Sequence, residues 1–556
     1  MKQVLQNLRD GATYVADVPI PTPQPGEALV ANVASLLSAG TERMLVEFAE
    51  KSLLGKARSR PDLLRQMMDK ARREGVIGAL EAAVNRLGQP MPLGYSSAGT
   101  IVALGAGMSG FEIGDRVACA GGGYAVHAEF IRAPRNLLVP VPDSVDLEAA
   151  AFATLGAIAL HGFRLAEVQL GERVAVIGLG LLGLLAVGIA RAAGCAVLGI
   201  DLDPARVALA HQFGAEATVR AGAEEAAASF GRGRGCDAVL ICADTSSSDP
   251  VELAGQIARD RARVIAVGAV GLQIPRKVYY EKELTFLNSR SYGPGRYDPQ
   301  YEQAGQDYPI GYVRWTEGRN LEAVVDLLAT GRLDVSALVS HRFPIAEAPQ
   351  AYELITGKQN EPCLGVLLTY PPENRHAAQK SAAALQAHQP AEKARPERAR
   401  PAGAVDRVRL GVLGAGNFAA AVLLPAIQKA GDIDLVGVVS ASGASAQHAA
   451  TKFGFQYADS DPQRLMDDPT INTVAILTRH NLHAPQVMDA LAAGKHVFCE
   501  KPLALNADQL DQIEALLGYG AAGAPLLTVG FNRRFAPLAQ ELYAFLANRQ
   551  EPLFVS

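Results

Sequence analysis

The chain reads as an α/β protein in which a barrel-like β domain precedes two doubly wound parallel sheets. Three observations predict this. Residues 1–150 are rich in Val, Gly and Pro with frequent turn signals, as in PIPTPQPGEALVANVAS and AGTIVALGAGMSGFEIGDRVA, and read as short barrel strands. From Arg173 to about Gly271, apolar strand candidates alternate with helical segments, the pattern of a parallel sheet covered on both faces. The same alternation restarts at Val408.

The 556 residues call for three or four domains, because single cores stop growing at about 250–300 residues. Hydrophobic residues make up 49% and charged residues 20%, an ordinary globular balance. A net charge of -5 speaks against a nucleic-acid partner. The six cysteines are scattered without a C-x-x-C pair, so neither a zinc lobe nor a disulfide framework is expected. The N-terminus lacks the long apolar core of a signal peptide. Val174–Ala190 alone mimics a membrane span, but it is short, flanked by Arg173 and Arg191, and carries a glycine motif. A buried strand–turn–helix, no membrane span and a cytoplasmic location are therefore expected.

The elements follow in order. Residues 1–150 form the barrel, with a basic helical insert at about 45–87 that reads as a surface insert or a binding lid. Residues 151–280 form the first doubly wound sheet, from RVAVIG, AVLGID, CDAVLIC and ARVIAVG. Residues 281–370 return to complete the first unit. Residues 371–407, dense in Ala, Pro, Gln and charge without aromatics, form a linker. Residues 408–536 form the second sheet, and 537–556 begin a further sheet domain that is missing.

Each sheet opens on a glycine fingerprint between a strand-like and a helix-like run. The first is RVAVIGLGLLG, with Gly178, Gly180 and Gly183; the second is RLGVLGAGNFA, with Gly414, Gly416, Asn417 and Ala419. In this context the first glycine makes the turn, the second lets a pyrophosphate approach, and the third position stays small for helix–strand packing. The phosphates then meet the helix N-terminus. Two dinucleotide sites are expected. Asp201 ends the second strand of the first sheet, where a carboxylate accepts from the ribose 2′-OH and repels a 2′-phosphate, so the first site takes NAD. In the second sheet Ser440 and Ser442 stand there instead, with no adjacent Arg, so NAD or NADP is expected.

With PGEALV, SAGTE, PLGYSSAG and FEIGDRV around the first fingerprint, residues 1 to about 370 resemble the medium-chain dehydrogenase/reductase (zinc-type alcohol dehydrogenase) family. The resemblance implies a GroES-like barrel and a Rossmann domain. It departs at the metal: Ala39 stands where zinc members have Cys, and Gly94-Tyr95-Ser96 replaces Gly-His-Glu. Neither Ala nor Tyr is a usual zinc ligand, so no zinc is expected. Tyr95 either donates a phenolic hydrogen bond to the substrate or fills the vacated space. Glu42 is a candidate to orient a substrate hydroxyl. Thr154 matches a family position near the nicotinamide, and His161 reads as core packing. The loop NSRSYGPGRYDPQYEQAGQDYPIGYVRW carries Arg290, Tyr292, Arg296, Tyr297, Tyr312, Arg314 and Trp315, and suits a phosphate or sugar ring or is plain solvated surface.

AILTRHNLHAPQVMDALAAGKHVFCEKPLAL and VGFNRRFAP resemble the glucose–fructose oxidoreductase / inositol dehydrogenase (Gfo/Idh/MocA) family. The resemblance places Glu500 and Lys501 of the Glu-Lys-Pro motif at the cofactor and the substrate hydroxyl, makes His483 a further catalytic candidate, and matches Asn532 and Arg533. Members continue into a substrate-binding sheet that residues 537–556 cannot form, so either the chain is truncated or its second site is degenerate.

Together these readings imply an NAD(P)-dependent oxidoreductase acting on a sugar or sugar-nucleotide hydroxyl or carbonyl, with polysaccharide biosynthesis as one setting and a homo-oligomer as the expected assembly. The alternatives are a single-site alcohol or enone reductase with a passive second domain, and a non-catalytic nucleotide sensor or scaffold.

Overall fold

A computed structural model describes residues 1–51, 88–371, 402, 405–517 and 523–547. The basic insert beyond Lys51 and nearly all of the linker lie outside them. The N-terminal strands are β1 (Lys2–Gln6), β2 (Thr13–Asp17), β3 (Glu27–Leu37), β4 (Met91–Pro92), β5 (Ser96–Leu104), β6 (Arg116–Ala120), β7 (Phe130–Pro134) and β8 (Leu138–Pro140). The long β3 pairs antiparallel with both β5 and β7, and β1 pairs with β2 and β4. Nine of the eleven β3 residues are buried, because both of its faces are covered within the barrel.

The first Rossmann strands are β9 (Arg173–Ile177), β10 (Ala196–Asp201), β11 (Glu216–Val219), β12 (Cys236–Ile241), β13 (Ala258–Ala266) and β14 (Thr285–Asn288). They lie in the order β11-β10-β9-β12-β13-β14, every neighbour parallel. Their near-continuous apolar runs fit a sheet packed on both sides. The helices Ala153–Leu165 and Leu181–Ala192 cover one face, and Ala223–Phe230 with Asp249–Ile257 cover the other. The sheet thus runs past residue 280. The short edge strand β14 pairs only with β13, and its half-buried TFLN run gives little sequence signal. β15 (Val339–Pro344) and β16 (Gly365–Thr369) return to the barrel, where β16 pairs antiparallel with β3.

The second sheet comprises β17 (Val408–Leu413), β18 (Ile433–Val439), β19 (Tyr457–Asp459), β20 (Thr473–Ile476), β21 (His496–Cys499) and β22 (Leu527–Val529). Its order, β19-β18-β17-β20-β21-β22, again with parallel neighbours, repeats the first sheet. The chain divides into two compact units, one holding the barrel and first sheet, the other holding the second sheet and Val18–Ile20. Among the described residues no helix is long and apolar enough to cross a membrane.

Candidate functional site: two nucleotide cradles and their surroundings

The first cradle begins where β9 ends. Gly178 has φ +92°, and a Cβ there would come within 2.6 Å of the Ala243 amide nitrogen. A Cβ at Gly183 would overlap the Gly178 carbonyl oxygen. Both glycines are thus required by the protein's own packing. Gly180 differs: it caps the helix Leu181–Ala192, and a Cβ there would meet nothing nearer than the Arg206 Nη1 at 4.0 Å. Its bareness leaves open the face where a pyrophosphate would meet the helix N-terminus, which fits a dinucleotide.

Asp201 closes β10 and is buried. Its carboxylate accepts the Leu179 amide at 2.5 Å and the Asp203 amide at 2.9 Å. It ties the glycine turn to the strand end and keeps lone pairs for a ribose hydroxyl. Arg206 stands 3.9 Å from that carboxylate. Sequence reading passed over it; its signal was its place five residues after the strand-ending acid, on the helix Pro204–Gln212.

The second cradle repeats the logic. Gly414 has φ +100°, with a would-be Cβ 2.6 Å from the Leu477 carbonyl oxygen, whereas Gly416 has nothing within 4 Å. Asn417 is exposed at the start of the following helix, and Ala419 is buried in its first turn. Ser440, just past β18, donates its amide to the Asp459 carbonyl.

Tyr95 lies just before β5, half-buried, with its hydroxyl bonded to Ser38 and Thr41. Burial, with the Glu42 charge adding, pushes its pKa up to about 12 against those hydrogen bonds. The phenol therefore keeps its proton and can donate. Glu42 does not have the role expected of it. It is 1% exposed, and its carboxylate is taken up by the Ser38 amide at 3.0 Å, His127 Nε2 at 3.1 Å and the Tyr352 hydroxyl. His127 continues to Ser35 at 2.7 Å, and Ser35 to Tyr370 at 2.6 Å. Glu42 is thus the hub of a buried network, enclosed away from any substrate. Thr154 is fully buried, and its hydroxyl donates to the Cys119 carbonyl at 3.4 Å. Among the described residues no group of three or more His, Cys, Asp or Glu is arranged to hold a metal ion.

In the second unit, Glu500 follows β21, buried, and accepts the Lys501 amide at 3.2 Å. A Cβ at Gly530 would come within 2.9 Å of the Glu500 Oε1. The Lys501 side chain is exposed, on a cis Lys501–Pro502 bond. His483 is corrected from a catalytic to a positioning residue. It is 1% exposed, and its Nδ1 and Nε2 face the Pro502 and Thr478 carbonyls at 2.7 and 3.1 Å. Whichever tautomer is present, its one N–H donates to one of these carbonyls and ties the Glu-Lys-Pro turn or the loop after β20 to the ring. Asn532 and Arg533 lie exposed in a short turn, Asn532–Phe535.

The arginine–aromatic loop gathers as expected. Arg290 lies over Tyr297, Arg296 over Tyr292 and Tyr297, and Arg314 over Trp315. Tyr312 stands apart, 92% exposed. His161 abuts this region: a Cβ on Gly293 would lie 3.6 Å from its Nδ1. Burial, then the Arg164 charge, lowers the His161 pKa.

Comparison with known proteins agrees with this geometry. Residues 66–143 match the alcohol dehydrogenase GroES-like domain, 182–305 the zinc-binding dehydrogenase family, and 408–519 the oxidoreductase family with an NAD-binding Rossmann fold (GFO_IDH_MocA). The chain is 27% identical to a D-xylulose reductase of Scheffersomyces stipitis, over 50% of this chain and 83% of that protein. It is also 27% identical to the sorbitol dehydrogenase of Gallus gallus, over 49% and 78%. A 109-residue stretch is 34% identical to an uncharacterized oxidoreductase (ORF334) of Rhizobium meliloti, covering 20% of this chain and 33% of that one. Galactitol-1-phosphate dehydrogenase from Escherichia coli shares the fold at TM-score 0.51 and 23% identity, over 66% of this chain and 100% of that one. The alcohol dehydrogenase TADH from Thermus sp. ATN1 does so at 0.50 and 23%, over 67% and 100%. The fold and site define an NAD(P)-dependent dehydrogenase. More particularly, the chain fuses a medium-chain, zinc-type alcohol dehydrogenase unit to a Gfo/Idh/MocA Rossmann domain.

Proposed function

We propose that the chain moves hydride to or from a hydroxyl or carbonyl carbon of a sugar or sugar nucleotide, without zinc, and that turnover resides in residues 1 to about 370. The observation that carries this reading is Tyr95: a protonated phenol, held by Ser38 and Thr41, at the position where zinc members have a metal ligand. The sugar-alcohol names of the D-xylulose reductase and sorbitol dehydrogenase relatives support the substrate class.

NAD, when bound, supplies or accepts the hydride. The chain's own residues do the rest. Gly180 opens the phosphate face, and Asp201 accepts from the ribose. Tyr95 donates to the carbonyl oxygen, polarising it as an oxyanion-hole donor does, and gives up its proton as the alkoxide forms. Ser38 and Thr41 fix the phenol. The second cradle binds NAD or NADP, in the same unit as Lys501.

The test is paired. Tyr95→Phe should lower turnover by about 10²-fold or more, as expected for losing one such donor, whereas Lys501→Ala should leave it nearly unchanged. The opposite pattern moves the chemistry to the second unit. One zinc per chain after chelator-free purification would overturn the metal-free reading.

A further inference from the structure

Trp315 is the only tryptophan of the chain, and two guanidinium groups stack on it. The Arg164 Cζ lies 3.0 Å from the ring centroid and the Arg314 Cζ 3.7 Å. Neither arginine has a carboxylate partner among the described residues, and the Arg164 Nε is buried without any hydrogen-bond partner. Burial, and then the charge of Arg314, pulls the Arg164 pKa down to about 10. Two like charges on one indole ring without a carboxylate partner favour an anion that bridges them past the ring edge.

The surrounding segment is unfinished in the same way. Buried polar atoms without partners concentrate here: the Tyr292 hydroxyl, both Glu317 carboxyl oxygens and the Asn320 Oδ1. Native proteins satisfy nearly all such groups, so a cluster of exceptions needs an explanation. The backbone is also strained, with left-handed φ at Ser291 (55°) and Tyr297 (68°). Strain of this kind gathers at ligand clamps.

The location suits a ligand. The segment leaves the carboxyl end of β14, and Gly162, two residues before Arg164, packs against Val267 just past β13. Ligands of doubly wound sheets bind beyond the carboxyl ends of the strands. Burial, with the neighbouring Glu302 charge, raises the Glu317 pKa to about 9. Its neutral carboxyl can donate as well as accept, and it does not repel an anion.

We infer that this segment receives the substrate of the first unit, and that the substrate is an anionic sugar whose phosphate, diphosphate or carboxylate bridges Arg164 and Arg314 at the edge of Trp315. The inference rests on the sugar reading above and adds the charge. The planar guanidinium forks meet the anion.

The lone tryptophan reports this binding without turnover. Its emission in the full chain is titrated with glucose, a hexose phosphate, glucuronate, UDP-glucose and NAD. A saturable change is expected with at least one anionic sugar and not with glucose, and the responding compound identifies the source of the negative charge. Arg314→Gln, at an exposed position, should weaken that response about tenfold or more, as for loss of a charge-assisted hydrogen bond, while NAD binding stays intact. The inference fails if no anionic sugar shifts the emission, if glucose shifts it equally, if NAD alone does so, or if Arg314→Gln responds like the parent. Turnover of neutral polyols with silent fluorescence overturns this inference and leaves the sugar reading standing. A fluorescence response to anionic sugars with no sugar turned over upholds the anion site and removes that reading.

Discussion

Substituting the three glycines of the first cradle by alanine, one at a time, separates folding from binding. At Gly183 the new Cβ would overlap the Gly178 carbonyl oxygen, and at Gly178 it would sit 2.6 Å from the Ala243 amide at φ +92°. Both are collisions with backbone, which cannot swing aside. Overpacking of this kind costs about 1–3 kcal/mol or more, and the positive φ adds about 1–2 kcal/mol at Gly178. At Gly180 the Cβ meets nothing nearer than 4.0 Å, and φ is -66°. The unfolded chain loses entropy worth about 0.4–1 kcal/mol, and exchanging a glycine N-cap for alanine takes back about 0.5–1 kcal/mol, so the two offset and stability should hold. The same Cβ stands where a pyrophosphate must approach. Losing one charge-assisted hydrogen bond costs about 1.5–3 kcal/mol, or about 10- to 150-fold in Kd. Urea unfolding measures the first effect and titration calorimetry with NAD the second. Gly183→Ala should shift the unfolding midpoint of the first unit; Gly180→Ala should keep it and lose NAD. If Gly180→Ala bound NAD like the parent, the open face would not be the phosphate site.

Other perturbations test the remaining sites. Gly416→Val should reduce dinucleotide stoichiometry from two to one without unfolding the second unit, since nothing lies within 4 Å of its would-be Cβ; a stoichiometry of one in the parent chain would refute the two-site reading. His483→Ala should strand whichever of the Pro502 and Thr478 carbonyls its N–H serves and destabilise the second unit by about 1–3 kcal/mol in urea; unchanged stability would restore a catalytic role. Glu317, raised from 4.5 to about 9, binds its proton in the folded chain but not in the unfolded one between those values. Its stabilising contribution is therefore complete below pH 4.5 and is lost as pH rises to about 9. Glu317→Gln should flatten the stability profile across that window, and a profile parallel to the parent's would show that the carboxyl is ionised throughout.

The cradles were legible because their constraints are local. A positive φ, a close strand–helix approach and an open phosphate face all fall within six residues of sequence, and each leaves a glycine behind. Asp201 was legible for the same reason, at the end of β10. The side chains misread were those whose partners come from far away. Glu42 has the residue type and neighbourhood of a site acid, but its carboxylate belongs to His127, 85 residues on, and to Tyr352, 310 residues on. No periodicity announces those contacts. His483 was read from its motif, whereas the carbonyls that hold it come from loops 5 and 19 residues away. The arginine–aromatic loop was visible as composition; its orphan polar atoms and unpaired cations emerged only once Arg164, on a distant helix, was placed against Trp315.

The buried network bears on the proposed role of Tyr95 as a proton donor. A bound zinc lowers the pKa of its water to about 7, which serves alcohol oxidation at neutral pH. Tyr95 is driven the other way, to about 12, because burial and the Glu42 charge both oppose the phenolate. Glu42 is in turn fixed by Ser38, His127 and Tyr352, so this opposition is built into the barrel rather than left to solvent. A donor that holds its proton through the physiological range favours polarising a carbonyl over removing a hydroxyl proton. Carbonyl reduction should accordingly be nearly independent of pH from 6 to 9, with the phenol protonated throughout relative to its value of about 12. Alcohol oxidation, which needs the phenolate, should climb with pH across the same range, toward tenfold per unit. Paired pH–rate profiles check this, with Tyr95→Phe expected to abolish the slope. An oxidation rate that levels off near pH 7 would mean that a group other than Tyr95 takes the proton.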